Sequence, residues 1–175
     1  MIRFWISIIM VILLVFQGMA MSLLPSRIVY SELLVTPHWV LCLIMLVAIF
    51  FDKDETYHSV WYGLAFGLLI DVVYTGVLGV YMVTYAITAY VTHGLQKWFH
   101  ANFVASLLLA ILGVALADMI LYFIYSFVQV TEMAWGDYVS LRLIPTVLAN
   151  ALFFILLYPL LKNRVEEWSE RWQSA

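Results

Sequence analysis

The chain is poor in nearly everything that carries chemistry or solubility. Only 11% of its 175 residues are Asp, Glu, Lys or Arg, against about a quarter in a typical soluble domain. A single cysteine, Cys42, excludes an internal disulfide framework and any CxxC redox or zinc motif. It lies in an apolar run and reads as a small buried hydrophobe. Eight Lys and Arg residues and a net charge of -3 leave no clustered basic face for nucleic acid. The histidines, His38, His58, His93 and His100, fall near the ends of apolar runs without HExxH or comparable ligand spacing. GxSxG, Walker A and dinucleotide fingerprints are missing too. These gaps point away from an enzyme, and no cofactor or metal is expected.

What remains is hydrocarbon. The composition is 66% hydrophobic, with a mean hydropathy of +1.02. A chain of this size has no interior large enough to hide that surface from water. A bilayer core about 30 Å thick is crossed by about 20 mainly apolar helical residues. Six stretches fit that demand: Phe4–Leu24, Leu33–Phe51, Ser59–Thr75, Val77–Thr92, Phe103–Val128 and Val139–Leu161. The expected architecture is one all-α membrane domain of six transmembrane helices, followed by a short tail over 162–175. Arg3, the apolar stretch after it and Gly18-Met19-Ala20 resemble a cleavable signal. Cleavage would leave five spans and an external tail, against the charge distribution, so the segment is taken as a retained helix.

Positive charge orients the bundle. With the N-terminus inside, Arg3, Lys53, Lys97, Lys162, Arg164 and Arg171 lie on the cytoplasmic side, and only Arg27 and Arg142 lie opposite. That asymmetry predicts both ends in the cytoplasm. Trp5, Trp39, Trp61, Trp98, Trp135 and Trp168 lie near span ends, as interfacial aromatics do. In the tail, Leu161, Val165, Trp168 and Trp172 form a helical stripe suited to the inner membrane surface or to simple continuation of the last helix.

The segment Tyr62–Val80, YGLAFGLLIDVVYTGVLGV, is the richest in signal. Gly63 and Gly67 are four apart, with Asp71 four further on, so the three share one helix face. Together with Gly76 and Gly79 they are expected to form a close-packed interhelical seam and a tight hairpin turn. Asp71 and Asp118 are buried acids in apolar spans, roughly 18 Å and 22 Å from the cytoplasmic ends. Each must face protein or water. Arg142, entering from the outer end, is the available counter-ion. Tyr81, Thr84, Tyr85, Thr88 and Thr92 fall within about 120° of arc and should face inward. Asp71, Asp118, Arg142, Tyr81 and Tyr85 are therefore expected as one buried polar cluster. A proton- or cation-coupled site is the competing reading of the two acids. Asp52, Asp54, Glu55 and His58 form a short acidic cluster, read as a solvated loop.

The length, the six spans, the GLAFGLLIDVVYTGVLG segment and the acid within GVALADMILY together resemble the rod-shape-determining membrane protein family MreD. The resemblance runs over essentially the whole chain. It implies a non-catalytic component of the machinery for side-wall peptidoglycan, in the bacterial cytoplasmic membrane. The implied partners are the single-span protein MreC, MreB filaments and the elongation-specific peptidoglycan synthases. It also implies a fold similar to the substrate-binding subunits of energy-coupling-factor transporters. A vitamin-type transport subunit is accordingly the alternative. Its expected small-residue face on the first helix is lacking, because Gly18 and Ala20 occur only near the outer end.

Overall fold

A helix that is apolar on every side must be surrounded by protein or lipid. The stretch WVLCLIMLVAIF is such a sequence. In the computed structural model, which describes residues 2–23, 33–53, 56–99 and 102–173, it forms a helix buried along nearly its whole length. In chain order the helices are α1 (Ile2–Leu23), α2 (Trp39–Phe50), α3 (His58–Tyr74), α4 (Val80–Gln96) and α5 (Phe103–Phe127). The last, α6, opens with a turn at Trp135–Asp137, widens to a π-helical stretch at Tyr138–Leu143 and runs on as α-helix over Ile144–Gln173. No strand occurs among the described residues.

The other helices pack around α2, with α1 against α3, α3 against α4, α4 against α5 and α5 against α6. Between α1 and α6 the ring is open along a groove. Among the described residues two helices are long and apolar enough to cross a membrane, Phe103–Phe127 and Trp135–Arg171, and three shorter apolar ones cover Phe4–Ala20, Trp39–Phe50 and His58–Tyr74. Polarity is inverted relative to a soluble bundle. Val15, Val72, Ile87, Leu108, Leu152 and Leu156 point outward, whereas His38, Asp71, Thr84, Asp118, Thr146 and Asn150 are buried. A contiguous apolar exterior of this extent is a surface built for something other than water.

Two expectations are corrected, and the alternatives left open for the tail are decided. The stretch Leu33–Phe51 is helical only from Trp39, while residues 33–38 are non-helical. Pro37 disfavours helix in the residue before it and lacks the N–H that a helix interior needs. The freed backbone groups are held by α6. Leu34 N–H donates to the Leu141 carbonyl at 2.8 Å, and Thr36 N–H donates to the Thr146 hydroxyl at 3.0 Å. His38 N–H donates to Asn150 Oδ1 at 2.7 Å, while Asn150 Nδ2 donates to the Thr36 carbonyl at 2.9 Å. Irregular backbone is tolerated inside an apolar bundle only when protein satisfies it in this way.

The tail does not lie apart from the bundle. It continues α6, with Val165 and Ser169 buried, Leu161 and Trp168 against the core, and the Ser169 hydroxyl donating to the Phe51 carbonyl at 2.9 Å. Nor is Asp52 solvated. It is buried and accepts the His58 and Ser59 N–H groups at 2.9 and 2.8 Å, capping the start of α3, with His58 Nδ1 at 3.0 Å. Arg27, Asp54, Glu55 and His100, and the side chains of Arg3 and Trp172, lie outside the described residues.

Candidate functional site

Gly63 and Gly67 lie on the face of α3 that meets α4. A Cβ at Gly63 would stand 2.9 Å from the Tyr85 carbonyl, and one at Gly67 would stand 2.6 Å from the Met82 Cα and the Tyr81 carbonyl. Those neighbours are backbone and cannot swing aside, so only glycine permits the approach. The seam is intramolecular. Gly76 and Gly79 do not belong to it, since a Cβ at either would meet nothing within 4 Å. Gly79 instead occupies φ +94° in the turn before α4, a conformation costly for any residue with a side chain.

At the end of the same face, Asp71 is fully buried. It accepts the N–H of Gly79 at 2.9 Å, of Tyr81 at 2.9 Å and of Met82 at 3.1 Å, with the Thr75 hydroxyl 3.4 Å from Oδ1. The first turn of a helix presents unsatisfied N–H groups and the positive end of the helix dipole. The hairpin thus folds the carboxylate of α3 onto the N-terminus of α4. Two hydroxyls of α4 are satisfied within the helix. Thr84 donates to the Val80 carbonyl at 2.6 Å, and Thr88 donates to the Thr84 carbonyl at 2.8 Å.

A second buried acid, Asp118, lies midway along α5. Arg142 Nη2 and Nε approach its Oδ1 at 3.2 and 3.3 Å, and the Tyr138 hydroxyl donates to Oδ2 at 2.9 Å. Both donors come from the π-helical stretch, where they lie four apart on the face toward α5. Tyr138 is held by a stacked contact with Tyr122, ring centroids 3.9 Å apart. His38, from the non-helical segment before α2, places Nε2 3.7 Å from Asp118 Oδ1, and its Nδ1 shares a hydrogen bond with the Tyr85 hydroxyl at 2.9 Å.

By hydrogen bonding the expected cluster divides into two groups that meet at Tyr81. The structure brings Asp118, Arg142 and, through His38, Tyr85 together, with the Tyr81 ring 5.6 Å from that of Tyr85 and 6.3 Å from His38; Asp71 and the backbone of Tyr81 form the other group. His38, Tyr138, Thr146 and Asn150 were missed by sequence reasoning. Thr146 and Asn150 are polar and four apart in an otherwise apolar run, and His38 follows the helix-breaking Pro37, which are the signals available. Cys42 is buried, and among the described residues no group of three His, Cys, Asp or Glu side chains could hold a metal ion. Each acid is engaged by fixed protein donors, an arrangement suited to holding helices in place.

The profile of rod shape-determining protein MreD matches residues 2–164. The chain belongs to the MreD family. A curated relative, rod shape-determining protein MreD of Bacillus subtilis (strain 168), is 29% identical over 158 residues, covering 90% of each chain. No solved structure matches, so the likeness to energy-coupling-factor subunits rests on the sequence resemblance alone. Membership in MreD assigns the chain to rod-shape determination, as a structural component and not an enzyme, and does not favour the transport-subunit alternative.

Proposed function

We propose that this MreD-family chain is a six-span scaffold of the cell-elongation machinery in the bacterial cytoplasmic membrane, with both ends in the cytoplasm. It binds MreC within the bilayer and, through it, connects MreB filaments to elongation-specific peptidoglycan synthases. The observation that carries this reading is the combination of an apolar exterior with buried acids fully engaged by internal donors. Such a bundle presents surface for other membrane helices and keeps its polar groups for its own cohesion. Because α4 fills the Gly63–Gly67 seam, the partner helix docks on an outward apolar face.

Two experiments test this. Tagged full-length chain purified from its native membrane should retain an MreC-type single-span protein; recovery of an ATPase pair in its place would overturn the scaffold reading. For topology, Glu132→Cys should react with an impermeant thiol reagent from outside and Lys97→Cys should not. The reverse pattern would invert the map.

A further inference from the structure

The open groove between α1 and α6 has a volume of about 490 Å³ and is lined by Trp5, Ile9, Leu160, Arg164, Trp168 and Arg171 among others. The α6 extension that forms one wall sorts its charges by face. At about 100° per residue, Trp168 and Arg171 lie within about 40° of Arg164, whereas Glu166 and Glu170 lie about 120–160° away. The structure agrees with that wheel. Glu166 pairs with Lys162 at 2.7 Å, and Glu166 and Glu170 line a different cavity beside Lys53. Arg171 also approaches Glu167 at 4.0 Å, but both side chains are largely exposed, at 71% and 51%, where such a pair is weak. The groove thus joins two guanidinium groups and two indoles to an apolar floor. Indoles favour the headgroup level of a bilayer, and the planar Arg guanidinium can hold two oxygens of a phosphodiester at once.

The geometry points to a binding site for an anionic phospholipid of the inner leaflet, its phosphate between Arg164 and Arg171 and an acyl chain along Ile9 and Leu160. The occupant is a lipid because one groove joins two arginines to the apolar side chains of Ile9, Leu160 and Leu161. The assignment to the inner leaflet rests on the cytoplasmic placement of both chain ends proposed above.

The test uses the delipidated full-length protein in neutral detergent, titrated with phosphatidylglycerol or phosphatidylcholine and read by native mass spectrometry. Wild type should bind phosphatidylglycerol more tightly. Each arginine contributes roughly fivefold, so Arg164→Gln with Arg171→Gln should lose about twenty-fivefold. Arg164→Glu, an exposed charge reversal, should lose at least as much as Arg164→Gln. Lys53→Gln, outside the groove, should behave as wild type. Equal affinity of the double variant and wild type, or no preference over phosphatidylcholine, would overturn the site. Displacement of the lipid by millimolar inorganic phosphate would show a free-anion site and also contradict the proposal. Labelling of Arg164→Cys by an impermeant thiol reagent from outside would contradict the topology while leaving the binding result intact, so the two failures are distinguishable.

Discussion

Where α3 ends, Asp71 meets three backbone N–H groups of the next helix, all within 11 residues of it in sequence. Midway along α5, Asp118 meets a tyrosine 20 residues away and an arginine 24 residues away, with His38 beyond them. The two carboxylates are of one residue type and equally buried. One is compensated by backbone dipoles and closes a hairpin between two helices adjacent in sequence. The other is compensated by side chains from distant elements and ties α5, α6 and the segment before α2 into one bundle. Burial of an acid in an apolar helix therefore does not reveal its role; the range of its partners does.

The comparison can be broken most forcefully at Asp71. Asp71→Ala leaves three donors without their acceptor, at about 1–3 kcal/mol each, so a loss of about 3–9 kcal/mol is expected. It should appear as a collapse of yield and thermal stability in detergent. Near-wild-type stability would mean that water replaces the carboxylate and that the hairpin does not depend on it. At the other site, Arg142→Leu orphans the buried Asp118, with a cost of about 3 kcal/mol because Arg142 itself is 24% exposed. The glycine seam that leads to Asp71 should be somewhat less sensitive. Gly67→Leu must separate two backbones, costing about 1–3 kcal/mol, while Gly94→Leu enters open space and should change the melting temperature little. Equal melting points for those two variants would remove α4 as the partner of the seam. The smallest effect belongs to the turn. Gly79→Ala should cost about 1–2 kcal/mol through its positive φ alone, and Gly76→Ala less than half of that.

Much of the helical layout was legible because length and apolar composition specify it locally. The stretch Phe103–Val128 corresponds to a helix at Phe103–Phe127, and Ser59–Thr75 to one at His58–Tyr74. The start of the second helix was not. Residues 33–38 are apolar enough to pass as helix, and the groups that hold them open, Thr146 and Asn150, lie more than 100 positions away. The site divides along the same line. The inward face of Tyr81, Thr84 and Thr88 follows from helical periodicity. Scarcity of charge nominates Arg142 as the neighbour of a buried acid but does not say of which one. The choice depends on the tertiary placement of Arg142 and Tyr138 against α5, and on Gly79, whose left-handed turn brings the N-terminus of α4 back over Asp71.

The central claim is that the two buried acids are separate structural devices with separate partners, and a pair of double-mutant cycles tests it most directly. Thermal stability of the purified protein would be measured for Arg142→Leu, Asp118→Leu and Asp71→Leu singly, and for Arg142→Leu combined with each acid variant. The account predicts that Arg142→Leu and Asp118→Leu together cost well below the sum of the two alone, with a coupling above about 1 kcal/mol, because the orphaned charge disappears. It predicts that Arg142→Leu and Asp71→Leu add to within about 0.5 kcal/mol. Coupling of Arg142 to Asp71, or strict additivity with Asp118, would contradict it.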